Sequence, residues 1–355
     1  MNRDVSIEDL IARSSLGTRH ASSLRRRAPP AVISRVLEQT NALDARGIPT
    51  HAPHTVGRTA RQVEDEYLVR TEREAQRMVA ASTLFPGQFM ITPVGEVGAG
   101  GLGTVDEVAV TASNASHPVG LRLARKRLGP RWRNDPGAQA RFDREIDMLR
   151  TMAHPNIVSL EGVSMPGQPT WYVMPLFRRG SLRRAIAAGR RFDSLSALAH
   201  FAVKIADALA YAHSFGFIHR DIKPENILLD QNDEPVLADW GLGQFIHRHS
   251  KVLDLTRGGP MGSQYYCSLE QWSRGRCDVT GDVYSLGVVL AELALGRGVP
   301  IVPPGSGISQ DVLAPTSAEA RDFNTLVRCM TALFPAGRIQ SMAQVSAAAR
   351  HIATR

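Results

Sequence analysis

Residues 219–230 read His219-Arg-Asp-Ile-Lys-Pro-Glu-Asn-Ile-Leu-Leu-Asp230, and after a short apolar run, Pro235-Val-Leu-Ala238, comes Asp239-Trp240-Gly241. One loop and the strand pair behind it thus gather a base (Asp221), a cation (Lys223) and two oxygen donors of the kind magnesium accepts (Asn226 and Asp239). That is the equipment of phosphoryl transfer from ATP. A single string can arise by accident, so the rest of the chain has to supply the other parts that this chemistry requires.

Working outward, the 355 residues and 43% hydrophobic content suit two domains, or one bilobed domain with an extension. The longest apolar stretch, residues 283–295, is interrupted by Glu292 and too short for a bilayer, so it predicts a buried helix and no membrane span. The N-terminus lacks the apolar core of a secretory signal. Cys267, Cys277 and Cys329 have neither disulfide nor zinc spacing, which predicts a reducing, cytoplasmic setting. The charge of +8 is spread along the chain without a zinc, homeodomain or aromatic-rich signature, so nucleic acid is not expected as a partner. Residues 1–88 read as a basic extension with helix-like spacing at 5–13, 31–45 and 60–82, separated by Ser/Arg-rich and Pro/His/Gly-rich links.

The string 219–241 resembles the catalytic loop and metal-binding segment of eukaryotic-like (Hanks-type) Ser/Thr protein kinases, and further pieces occur in that family's order. Gly98, Gly100, Gly103 and Val105 have its Gly-x-Gly-x-x-Gly-x-Val spacing; the resemblance implies a hairpin over the triphosphate, with Val105 against the adenine. Residues 121–126 alternate like a strand, with Ala124 and Lys126 on one face. Lys126 would hold the α- and β-phosphates and Glu145, on a helix over 140–152, would pair with it. Trp171-Tyr-Val-Met174-Pro-Leu-Phe177 resembles the last small-lobe strand and hinge. Met174 would guard the adenine pocket, the carbonyl of Pro175 and the N–H of Phe177 would contact adenine, and Leu228 would floor the site. Pro175 stands where many members have glutamate.

By the same resemblance Asp221 orients the acceptor hydroxyl, Lys223 offsets the γ-phosphate charge, and Asn226 and Asp239 hold metal. His219 is structural, stacking with Leu149 on Trp240, which replaces the usual phenylalanine. Arg220 before Asp221 implies regulation by phosphate on the following segment, with Thr256 the favoured site and Ser250 the other. Gly262-Ser-Gln-Tyr-Tyr-Cys-Ser-Leu-Glu270 departs from the family at Ser268 and Leu269 but keeps Glu270, whose ion-pair partner is expected to be Arg338. Asp282 matches the aspartate that braces the catalytic loop. Only four of the 42 basic residues are lysine, and two of these, Lys126 and Lys223, stand where the family pattern demands lysine.

The expectation is an α+β, bilobed protein-kinase fold over residues 89–352. It comprises a small β-rich N-lobe (89–176) and a larger, mainly α C-lobe (177–352), with the partly helical extension in front. The resemblance implies a cytoplasmic signalling kinase using ATP and Mg2+, or Mn2+, on serine or threonine of protein substrates, with autophosphorylation; Lys223 and Ser263 point to the Ser/Thr class. Three alternatives stay open: a nucleotide-binding pseudokinase scaffold, a small-molecule phosphotransferase, and an exported effector acting in a host cytosol. The oligomeric state and the role of residues 1–88, regulatory or docking, are left open.

Overall fold

The computed structural model describes residues 89–100, 103–112, 116–164, 170–240, 263–274, 277–296 and 306–355. The extension 1–88 with its three expected helices lies outside the described residues, as do Gly101, Leu102, Gly241, Ser250, Thr256 and Gly262.

Strands β1 (Met90–Gly100), β2 (Gly103–Ala112), β3 (Arg122–Leu128), β4 (Gly162–Val163) and β5 (Trp171–Pro175) form one antiparallel sheet in the order β1-β2-β3-β5-β4. Its register sets Lys126 opposite both Val105 of β2 and Tyr172 of β5, and Ala124 opposite Met174. Side chains of a strand alternate between faces, so Ala124, Lys126, Tyr172 and Met174 share one face. Leu123 and Val173 share the other, where they pack with Val108 and Val110 in a small separate core. Helix α1 (Pro136–Thr151) covers the first face through Phe142, Ile146 and Leu149. It begins four residues earlier than the sequence reading placed it. Asp135 accepts from the N–H of Ala138 at 2.6 Å and Pro136 occupies the first turn, where its missing N–H costs nothing.

The C-lobe is helical: α2 (Leu182–Ala187), α3 (Leu195–Ser214), α4 (Leu269–Arg274), α5 (Val279–Leu295), α6 (Ala318–Met330) and α7 (Met342–Ala353). Serine oxygens cap α2, α3, α6 and α7, and Asp278 caps α5. Residues 280–293 of α5 are buried on every side, the mark of a central core helix. Gly287 lets it approach the end of α6, where a Cβ would meet Met330 and Thr331 at 2.7–2.8 Å. Helix α3 is long and apolar enough to cross a membrane by length and composition, a property the sequence reading had assigned to no segment. Here it is packed against α5 and α7, and more than half of it is buried. Truncating a fully buried side chain such as Leu209 or Val289 to alanine costs about 2–5 kcal/mol.

A two-stranded hairpin, β6 (Ile227–Leu229) and β7 (Pro235–Leu237), links the lobes. The Leu237 N–H donates to the carbonyl of Asn156 and its carbonyl accepts from Val158, both at 2.9 Å, while the Leu229 N–H donates to Gly180 just before α2. The hairpin therefore delivers Asn226 at its start and Asp239 beyond its end to the junction of the sheet with the helices.

Candidate active site

On the sheet side, the Lys126 ammonium donates to both oxygens of Glu145, at 2.9 and 3.1 Å, and to Oδ1 of Asp239. The Tyr172 hydroxyl donates to Glu145 at 3.1 Å. Lys126 and Glu145 are buried, whereas the Asp239 side chain is 44% exposed, at the opening. Burial pushes the Glu145 carboxyl up to about 7, with Lys126 opposing the rise. Burial acts to lower the Lys126 pKa, but Asp239 and Glu145 together raise it well above the lysine range, so the ammonium keeps its charge. For Asp239, desolvation is outweighed by Lys126, and its carboxyl lies below the usual value.

On the helical side, Asp221 receives Asn226 Nδ2 at 2.7 Å and Lys223 Nζ at 2.8 Å on the same oxygen, and Asn226 also donates to the Asp221 carbonyl at 2.8 Å. Two residues of this region hold left-handed backbone without being glycine, Arg220 at φ 67° and Asp239 at φ 63°. Such conformations persist only where surrounding contacts over-determine them. At Arg220 those contacts are visible: buried Asp282 accepts the N–H of His219 at 2.9 Å, the N–H of Arg220 at 2.8 Å and the His213 ring at 2.8 Å. Gln271 donates to the Arg220 carbonyl at 2.5 Å from the other side. The ring of His219 lies 4.6 Å from that of Trp240, its Nε2 is 3.1 Å from the carbonyl of Ala238, and burial holds its pKa below the ordinary value. It is a neutral packing group. Leu149 lies in the same core, and the buried Trp240 indole N–H has no partner among the described residues.

A sequence family described as protein kinase domain matches residues 91–312, well over half of the chain. This chain belongs to the protein kinase family. Its similarity extends to serine/threonine kinases of bacteria and to plant receptor kinases. It is 31% identical over 222 residues to the probable serine/threonine-protein kinase PknB of Lactococcus lactis, covering 62% of this chain and 33% of that protein. It is 29% identical over 197 residues to the serine/threonine-protein kinase PknD of Protochlamydia amoebophila, covering 48% and 20%. It is 32% identical over 260 residues to the leucine-rich repeat receptor protein kinase MSP1 of Oryza sativa, covering 70% and 19%. The chain thus spans a third or less of these curated relatives' length.

In this member of the family the bilobed arrangement places the sheet face bearing Ala124, Lys126 and Met174 against the hairpin bearing Leu228. Pro175 ends β5, paired with Leu123, and Phe177 follows it, half-buried. Gly98, Gly100 and Gly103 lie on the β1–β2 hairpin; a Cβ on Gly103 would meet the Arg127 carbonyl at 3.1 Å, while Gly98 has open space around it. The Arg338 side chain is fully buried and grips Glu270 with both nitrogens, at 2.6 and 2.9 Å. Against the effect of burial, that fork holds the Glu270 carboxyl below its usual range. Arg338 lies beyond the matched span, yet it closes the same helical layer.

Two contacts escaped the sequence reading. Tyr172 reaches Glu145 because the β3–β5 register places it opposite Lys126. Glu292, which reads only as a break in an apolar run, is bound by Arg183.

Proposed function

We propose that the chain transfers the γ-phosphoryl group of Mg-ATP to serine or threonine hydroxyls of proteins, its own included. The observation that carries this reading is the meeting, at the junction of sheet and helices, of two charge clusters: Lys126 with Glu145 and Asp239, and Asp221 with Lys223 and Asn226. Charged groups held in place by one another in this way are what catalysis by positioning and electrostatics requires.

Lys126, fixed by Glu145, anchors the α- and β-phosphates; the ammonium hydrogen now given to Asp239 is the one a phosphate oxygen would take. Asp221 orients the acceptor hydroxyl and takes its proton, and Lys223 offsets charge on the transferring group. Asp239 and Asn226 offer a carboxylate and an amide oxygen, hard donors that suit a Mg2+ ion completing its shell with phosphates. Asp239 and Asn226 would hold that ion, and when bound it would supply positive charge that offsets the phosphates. Met174, Ala124 and Leu228 supply apolar walls for adenine. In this reading the catalytic domain runs over 89–352, Thr256 or Ser250 is the regulatory acceptor answering Arg220, and the chain works in a reducing, cytoplasmic setting; no disulfide joins its three cysteines.

Incubation of the purified chain with Mg2+, γ-labelled ATP and a mixed protein acceptor, beside Asp221→Ala and Lys126→Met, tests the proposal. Label on serine or threonine should fall by about 10²–10⁴ in Asp221→Ala. Full transfer by that variant would overturn the assigned mechanism. ATP binding without transfer by the wild type would instead support the scaffold reading.

A further inference from the structure

Glu145 is fully buried on the inner side of α1, and an ionised carboxylate there survives only with donors on its oxygens. Among the described residues two side chains supply them. Lys126 donates to both oxygens, at 2.9 and 3.1 Å, and the Tyr172 hydroxyl donates to Oε1 at 3.1 Å. Tyr172 is itself buried, its ring lies against that of Phe142 in α1 with centroids 5.5 Å apart, and the Lys126 ammonium stands 5.8 Å from its centroid. One side chain of the sheet thus meets the acid, the cation paired with it, and the helix that carries the acid. Burial and the neighbouring Glu145 carboxylate hold the phenol pKa well above the ordinary range, so the oxygen keeps its hydrogen and acts as the donor.

The two donors differ in what else they serve. Lys126 divides its ammonium between Glu145 and Asp239, and in the phosphotransfer reading a nucleotide phosphate draws on the same nitrogen. The Tyr172 hydroxyl makes no other hydrogen bond among the described residues, and its strand is held on both sides, opposite Lys126 of β3 and Val163 of β4. Helix α1 lies on the sheet through Phe142, Ile146 and Leu149, apolar contacts that have no preferred direction. Directional bonds to Glu145 fix what those contacts leave free, the rotation and slide of the helix that aim the carboxylate at Lys126. Phenylalanine would fill the same space without a polar atom to satisfy, and the acceptor that satisfies this phenol is the carboxylate on which Lys126 depends.

We propose that Tyr172 is a positioning residue for phosphoryl transfer: its hydroxyl holds the Glu145 carboxylate, and with it helix α1, in place while Lys126 redirects an ammonium hydrogen to the nucleotide. This role rests on the phosphotransfer reading and adds to it a residue that touches neither substrate nor nucleotide.

Tyr172→Phe keeps the ring and its packing and removes the hydroxyl alone. With the full chain, kcat is read from label transfer at saturating ATP and the ATP Kd from calorimetry. The variant's kcat should fall by about tenfold, the low end of what a hydrogen bond to a charged group supplies, while Kd stays within about twofold. In a Glu145→Gln background the same substitution should change kcat by less than about twofold, because the hydroxyl acts through the carboxylate. Hydrogen exchange of the α1 amides separates positioning from packing. Tyr172→Phe should speed that exchange by about tenfold more with Mg2+ and a β,γ-imido analogue of ATP bound than in the free protein, where Lys126 still serves Glu145 fully. Equal acceleration in the two states, an unchanged kcat, or a full effect retained beside Glu145→Gln would overturn the inference. A wild type that binds the analogue and transfers no phosphate would count against the phosphotransfer reading alone, because the exchange comparison still decides whether Tyr172 holds Glu145 when nucleotide is bound.

Discussion

Replacing Lys126 by methionine should create a stability defect that grows with pH, and its onset follows from Glu145. In the wild type, burial raises the Glu145 carboxyl to about 7 from an ordinary value of 4.5. Between those values the native state keeps a proton that the unfolded chain has released, so stability falls as pH rises through that window and levels off above it. It levels off because ionised Glu145 is then held by Lys126 at 2.9 Å. Methionine removes that partner, leaving the Tyr172 hydroxyl against a fully buried carboxyl, and protonation must persist to higher pH. Each further pH unit then costs about 1.4 kcal/mol, so the gap between wild type and Lys126→Met should widen by about 2 kcal/mol from pH 7.5 to 9. Lys126 itself stays charged across that range, and loss of its contact with Asp239 adds only a constant offset. Urea melts of both proteins at the two pH values measure the gap, and Lys126→Met/Glu145→Gln should show none of the widening. An equal gap at both pH values, or widening that survives in the double variant, would refute the argument that Lys126 is what allows Glu145 to ionise.

Arg338→Ala strands Glu270 together with the carbonyls of Thr280, Ala332 and Leu333, and a loss of about 3–5 kcal/mol is expected by calorimetry; Arg338→Lys should recover little of it. The Asp282 carboxyl is pushed up by burial, but the His213 ring and the backbone N–H of Arg220 prevail and hold it below 3.8. Its contribution is therefore present at neutral pH and lost progressively as pH falls below 3.8, so the stability gap to Asp282→Asn should hold down to about pH 4 and narrow below it; a gap that stays constant at lower pH would contradict this. Trp240→Phe removes a buried N–H that lacks a partner among the described residues, offsetting the volume it gives up, and should stay within about 1 kcal/mol of wild type. Trp240→Ala should cost about 3–5 kcal/mol in the same melts, and comparable losses in the two would sink that reasoning.

The catalytic loop, the strand bearing Lys126 and the helix bearing Glu145 were legible because each joins a residue of specific chemistry to a local period: alternation over 121–126, apolar spacing at Phe142, Ile146 and Leu149, and Asn226 immediately before the apolar Ile227-Leu228-Leu229. The start of α1 was also written locally, in Asp135-Pro136, but weaker apolar spacing there hid it. Long-range partners were not legible. Glu145 and Tyr172 are 27 residues apart and Arg183 and Glu292 are 109 apart, so only strand register and helix packing bring them together. A lone carboxylate inside the apolar run 283–295 did announce that it needed a partner. With 38 arginines in the chain, nothing local could say which one.

That surplus of arginine gives the lysines of the two charge clusters their meaning. Arg338 and Arg183 each spread a planar fork over several acceptors lying in different directions: two carboxylate oxygens and three carbonyls for the first, two carboxylates and a phenol for the second. Such positions suit a broad guanidinium. At Lys126 the acceptors are two oxygens of Glu145 and one of Asp239, converging on a single buried nitrogen, and Lys223 donates to one oxygen of Asp221 from within its own loop. A compact ammonium with three hydrogens fills those sites and can hand one of them to a phosphate without leaving the others. A guanidinium would have to be displaced as a rigid plane. Lysine therefore persists in an arginine-dominated chain where the cation must change partners, and arginine stands where it must not. By this argument Lys126→Arg should keep the charge and still lose most of the transfer, and activity near wild type in that variant would show that charge alone is enough.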